Sequence, residues 1–193
     1  MKKSNLLIIA IVAVLAFWGI GVYNGMVSED ENVSKVWADV EGAYQRRADL
    51  IPNLVATVKG YAEHEKGTFE AVVEARAKAT SITMNAEDLS EENIKKFQEA
   101  QSQVSSALGR LIAVSENYPE LKANEQFMEL QAQLEGTENR INEARTKFNA
   151  AVKDYNLKVR QFPGNIIAML FHFNTKAPFA AEAGAEKAPT VQF

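Results

Sequence analysis

Cysteine is absent from the 193 residues, and histidine occurs twice, at His64 and His172. The first absence excludes disulfide cross-links, thiol catalysis, cysteine-ligated zinc or iron–sulfur, and a lipid-modified N-terminal cysteine. The second leaves little room for a histidine-rich metal site. Basic charge is also in short supply: 21 Lys and Arg face 25 Asp and Glu, a net charge of −4, so no general basic surface awaits nucleic acid. Strand-like alternation is missing, and proline is confined to positions 52, 119, 163, 178 and 189. The length suits one domain with extra segments at its ends.

From Leu6 to Tyr23 the chain reads LLIIAIVAVLAFWGIGVY, eighteen residues without a charge. As a helix these span about 27 Å, the hydrocarbon thickness of a bilayer. Lys2 and Lys3 precede the run, Glu29, Asp30 and Glu31 follow it, and Trp18 and Tyr23 stand where interfacial aromatics belong. A cleaved secretory signal is the competing interpretation. The run is long for one, and only Gly19 and Gly21 offer a small-residue pair near a cut. Residues 1–27 therefore read as an uncleaved anchor in the cytoplasmic (inner) membrane, single-pass, with the remainder on the extracytoplasmic side by the positive-inside rule.

With so few prolines, the remainder divides into long helices. The first covers 28–47, where Val33, Val36, Trp37, Val40 and Tyr44 recur at three and four. Arg46 and Arg47 close it with positive charge at the dipole's C-terminal end. Asp49 then caps a second helix with Pro52 in its first turn, running to Ser81. Gly60 and Gly67 fall inside that helix on one face, which implies close approach of a neighbour. Ser90 caps a third helix carrying Ile94, Phe97, Val104, Leu108, Leu111 and Val114, ended by Asn117-Tyr118-Pro119. Asn124 caps the fourth, in which Phe127, Leu134, Ile141, Phe148, Tyr155 and Phe162 recur every seven residues, a heptad seam of coiled-coil type. The expected fold is all-α, an N-terminal transmembrane helix followed by an elongated antiparallel up-and-down four-helix bundle. Residues 1–27 would be anchor, 28–175 bundle and 176–193 a flexible Ala-rich tail.

Three runs in order, RRADLIPNLVATVKGYAEHE from Arg46 to Glu65, AVSENYPELKANEQFMELQAQLEGTENRINEAR from Ala113 to Arg145, and FNAAVKDYNLKVRQFP ending at Pro163, resemble the LemA family. The resemblance extends from the anchor to about Phe179. It implies a bacterial single-pass membrane protein with an extended four-helix bundle and no established enzymatic activity.

If the first helix rises from the anchor, the turns at 47–52 and 117–124 share the end far from the membrane. Arg46, Arg47, Asp49, Tyr118 and Glu120 would then gather there, either as a docking tip for a protein partner or as capping charges and a closing tyrosine. At the opposite end Ile166, Ile167, Leu170, Phe171 and Phe173 return to the bilayer in a run too short to span it. They would lie in the interface as a membrane contact or form a lid on the bundle base. Asn142, Asn149 and Asn156 recur every seven residues, as an assembly ladder or as the solvated edge of the core.

Catalytic chemistry is thin. Tyr61 and Met169 stand three residues before the two histidines, where a di-metal carboxylate bundle needs glutamate. His64-Glu65 lacks the second histidine of a zincin motif. Glu65 and Glu138 fall at similar depth on two stripes, as a carboxylate layer for a divalent cation or as a wet edge. No catalytic, cofactor or metal residue is assigned. The expected role is a non-enzymatic scaffold or interaction protein of the bacterial envelope, with the lipid bilayer and an envelope protein or further copies of itself (a homo-oligomer) as partners. Nucleic acid and a small-molecule substrate are not expected. The alternative is a lipid-engaging protein that organises or remodels membrane through 166–173.

Overall fold

A computed structural model describes residues 3–180, and these are all-α. The helices are α1 (Lys3–Lys59), α2 (Lys66–Thr80), α3 (Glu91–Val114), α4 (Pro119–Lys122), α5 (Glu125–Arg160) and α6 (Gly164–Leu170), with a 3-10 turn at Ser115–Asn117 leading into α4.

The main departure from the sequence expectation lies in α1. The membrane segment, the expected first helix and the start of the expected second are one helix of 57 residues, about 85 Å long. Asp49 caps nothing; it sits mid-helix and accepts from Gln45 Nε2 at 2.7 Å. Pro52 lies inside the helix. A proline there has no amide hydrogen for the carbonyl four residues back, which is that of Ala48. Arg76 of α2 donates its Nε–H to the Ala48 oxygen at 2.8 Å. The arginine supplies the bond that the proline cannot, and the corner between α1 and α2 falls at 60–65. Gly60 and Gly67, expected mid-helix against a neighbour, flank this corner, and a Cβ on Gly67 would meet nothing within 4 Å.

Two other helix starts follow the sequence. Ser90 Oγ accepts from the Asn93 amide at 3.4 Å, and Asn124 Oδ1 from the Phe127 amide at 2.9 Å. Each satisfies a donor that the first turn of a helix leaves open.

α1 and α5 run antiparallel along the bundle: Glu29 pairs with Lys158, Trp37 packs on Phe148, and Arg47 pairs with Glu138. The heptad residues Phe127, Leu134, Ile141, Phe148 and Tyr155 are buried, whereas Phe162, beyond the end of α5, is exposed. α1 packs on α5, α2 on α3 and α1 on α2, but α3 and α5 make little direct contact. The expected four-helix bundle is thus corrected to six helices among the described residues, in which α2 is short and the α3–α5 seam is not closed by helix packing. The core has two halves. Trp37, Tyr44, Phe97, Phe148 and Phe179 belong to the lower, and Ile51, Leu54, Val58, Leu111, Phe127 and Leu134 to the upper.

Arg76→Ala should lower stability by about 1–3 kcal/mol, the cost of a buried carbonyl left without a donor. Pro52→Ala should recover most of that loss, since the amide at position 52 then serves Ala48. A double-mutant cycle by chemical unfolding in detergent micelles measures the coupling, and strictly additive effects would contradict the link.

Candidate functional site

The distal end is built from the 60–65 corner, α4 and the start of α5. Asn124 Nδ2 donates to Tyr61 Oη at 2.9 Å, and Lys122 pairs with Glu116 at 2.7 Å. Tyr118 and Glu120 belong to this end. Arg46, Arg47 and Asp49 do not: because α1 continues to Lys59, they stand ten to thirteen residues below its end, about 15–20 Å. Arg46 and Asp49 are exposed on the flank.

Arg47 is only 2% exposed and is an internal cation, not a docking charge. Its Nη1 donates to Ser105 Oγ at 2.7 Å and to Glu138 Oε1 at 2.8 Å. Its Nη2 donates to Gln101 Oε1 at 2.6 Å and to the Gln101 carbonyl at 3.1 Å. The guanidinium also lies 5.0 Å from the Tyr44 ring centre. Buried charge is tolerated only with this degree of pairing. Glu138 is thereby committed to Arg47, while Glu65 heads α2 at the distal corner. The two carboxylates form no common layer, and among the described residues no group of three His, Cys, Asp or Glu could hold a metal ion.

At the base, α6 packs on residues 19–26 of α1. A Cβ on Gly164 would come within 3.0 Å of the Lys158 carbonyl and 3.2 Å of Met26 Cε, so the close approach requires glycine. Ala168 is buried, Ile167 packs near Gly19, and the Phe171 and Phe173 rings meet Tyr23 edge-on at 4.8 and 5.5 Å. Ile166, Met169, Leu170 and Phe171 are half or more exposed. The segment therefore has an inner face on α1 and an outer apolar face, level with the end of the uncharged run.

Beyond α6 the chain reverses at His172, whose φ of 60° lies in the left-handed region, and the Phe173 amide bonds the Ala168 carbonyl at 2.9 Å. Residues 174–180 then run back along the seam between α3 and α5 as an extended strap. The asparagine ladder holds it. Asn156 Nδ2 donates to Lys176 O at 2.8 Å while its Oδ1 accepts the Lys176 amide at 2.9 Å. Asn149 does the same for Phe179, at 3.1 and 2.8 Å. A carboxamide satisfies both backbone groups of one residue, as a neighbouring strand would. Seven helical residues rise about 10.5 Å and three extended residues span about 10 Å, so the periods match.

The strap is fixed by side chains too. Lys176 Nζ meets Asp30 Oδ1 at 2.7 Å and donates to Ala86 O at 2.8 Å, and Tyr155 Oη donates to Asn174 O at 2.9 Å. Phe179, 4% exposed, packs among Trp37, Phe97 and Phe148. Gln98 bonds both backbone groups of Ala180. The flexible tail expected from 176 thus begins no earlier than 181, because 176–180 bury a ring and a lysine. The remainder of that expectation, 181–193, lies outside the described residues. The sequence carried one signal for the strap, an aromatic at Phe179 three residues after Lys176, but the surrounding alanines hid it. Asn142, the third rung, is exposed and lines a cleft of about 1010 Å³ beyond Ala180.

Residues 36–193 match the model of the LemA family. The chain belongs to that family. It is similar to MamQ 1 and MamQ 2, magnetosome proteins of Paramagnetospirillum magneticum, each 27% identical over 96% of this chain and 75% of the relative. It is also similar to the protein LemA of Metamycoplasma hominis, 22% identical over 91% of this chain and 77% of that protein. At 96% coverage the MamQ alignments take in part of the uncharged run. The chain has no cysteine, and the described residues hold no cluster of three metal-ligating side chains. Among the described residues one helix is long and apolar enough to cross a membrane, and its apolar window is entirely unburied. The protein is accordingly a membrane-associated, all-α member of the LemA family.

Burial, with a smaller contribution from the Asp30 charge, pushes the Tyr155 phenol up to about 12 from its ordinary 10.0. The folded chain keeps a proton that the unfolded chain releases near pH 10, so this stabilisation is complete below pH 10 and is lost as pH rises towards 12. Unfolding free energy should fall through that window, and Tyr155→Phe should flatten the fall. An unchanged slope in the variant would refute the assignment.

Proposed function

We propose that the protein is a scaffold of the bacterial envelope. It would be anchored in the inner membrane and hold its bundle on the extracytoplasmic side for an envelope partner or for further copies of itself. One observation carries this: α1 passes from the membrane segment into the bundle without a break or linker. Domains on flexible linkers sample many orientations, whereas a bundle built around its own anchor has its height and direction set. Orientation rests on Lys2 and Lys3 before the anchor and the acidic Glu29, Asp30 and Glu31 after it.

The surfaces offered to a partner are the distal tip, with Tyr118 and Glu120, and the flank carrying Arg46 and Asp49. Charge reversal at these exposed positions, Glu120→Lys with Arg46→Glu, should change the set of co-purifying proteins while the circular-dichroism melt stays within a few degrees of the unmodified chain. An unchanged partner set with an intact fold would argue against the scaffold.

The outer face of α6 supports a second reading, lipid engagement at the base. Ile166, Met169, Leu170 and Phe171 are exposed beside the last turns of the uncharged run, where an apolar face meets headgroups and acyl chains. In the full chain reconstituted into vesicles, a bimane on Leu170→Cys should be quenched by brominated acyl chains, and one on Lys153→Cys, higher on α5, should not. Equal quenching at both sites, or none at 170, would reject this reading.

A further inference from the structure

α6 reaches down into the uncharged run of α1. A Cβ on Gly164 would meet Met26 Cε at 3.2 Å and Val22 Cγ1 at 3.7 Å, and one on Gly19 would meet Ile167 Cδ1 at 3.7 Å. Between Gly164 and Ile167 the chain thus descends along α1 from the 22–26 turn to Gly19. The Phe171 and Phe173 rings then lie back against Tyr23, where the run ends. The lowest contact is four helical residues inside the run, about 6 Å. Where the run lies in hydrocarbon, so does this turn of α6. A helix of seven residues that enters and leaves on one side is re-entrant.

The backbone here is closed as a bilayer interior requires, since no water satisfies an open amide or carbonyl there. The Asn165 and Ile166 amides bond the Gln161 and Pro163 carbonyls at 2.8 and 3.2 Å. The Phe171 and Phe173 amides bond those of Ile167 and Ala168 at 3.0 and 2.9 Å, the second closing over the left-handed His172. The outward side chains Ile166, Met169, Leu170 and Phe171 are apolar. Above them stands Arg160, the last residue of α5. Lys158 is taken by Glu29 and Lys176 by Asp30. Arg160 is exposed and has no ion pair or side-chain hydrogen bond among the described residues. A Cβ on Gly164 would come 3.0 Å from the Lys158 carbonyl, so α5 ends at the height of the 22–26 turn. For a run that ends at Tyr23, this is the level of the headgroups.

We propose that the base is a phospholipid seat in the leaflet on the bundle side, with the phosphodiester on Arg160 and an acyl chain along the outer face of α6. It rests on α6 being a lipid contact and adds the headgroup which that contact holds. A guanidinium offers two parallel N–H donors to two phosphate oxygens. A free phosphate presents the same oxygens, but a lipid alone also brings a chain for Met169 and Leu170.

Solid-state NMR tests this on the full chain, with isotopically labelled arginine, in phosphatidylglycerol vesicles and phosphate-free buffer. Dipolar dephasing of guanidinium nitrogen by lipid phosphorus should appear for one arginine, and Arg160→Gln should abolish it. The next arginine on α5, Arg145, stands fifteen residues higher, about 22 Å, and serves as the silent control. No dephasing in the unmodified chain, or dephasing that survives in Arg160→Gln, would overturn the proposal. Equal dephasing in lipid-free maltoside micelles with inorganic phosphate would assign the site to a free anion and overturn it too. Bimane quenching at Leu170→Cys in parallel vesicles separates two failures. Quenching without dephasing rejects the seat and keeps the lipid contact, whereas loss of both signals rejects both.

Discussion

A single hydrogen bond, from Arg76 Nε to the carbonyl of Ala48, decides the layout of this molecule. Proline inside a helix normally ends or kinks it, at a cost of about 3 kcal/mol or more. Here the polar part of that cost is met from outside the helix, and α1 carries on to Lys59. Moving the corner from near 50 to 60–65 sets how far α1 reaches along α5. It brings Arg47 opposite Glu138 in place of the distal turn, and it leaves α2 only fifteen residues. The buried arginine and the short second helix are two results of one local repair.

Arg47 in turn divides the core. Apolar side chains above and below it pack on either register of two helices with similar stripes, but a guanidinium bonded to Ser105, Gln101 and Glu138 fits one register. A buried ionic group is weak support for stability and better support for alignment. Arg47 and the Asn149 and Asn156 rungs are arranged alike in this respect, since each fixes one position along the bundle axis.

Much of this is legible in the sequence, for physical reasons that differ by element. The α5 seam can be read because an aromatic or aliphatic residue at every seventh position suits a helix packed along its length and little else. Ser90 and Asn124 can be read because capping is local, involving residues three apart. Pro52 misleads because the group that rescues it lies 24 positions downstream, beyond any local pattern. Arg47 misleads with it, since a place at a helix end depends on Pro52 breaking the chain. The asparagine spacing is visible but its occupant is not. An extended strap has no hydrophobic period of its own and borrows its register from α5. At the base, lid and membrane contact are indistinguishable in sequence because α6 has two faces, and a linear chain runs through both without separating them.

The unbroken α1 also makes the protein a lever. An apolar run that does not match the thickness of its bilayer relieves the mismatch by tilting. From Asn24 to Lys59 the helix extends about 52 Å, so a tilt of about 10° carries its far end sideways by about 9 Å. α6 sits against the same helix at the pivot, where its outer apolar face would resist rotation towards the aqueous side. With the apolar run in a bilayer, a change in bilayer thickness would shift the distal tip sideways by this amount.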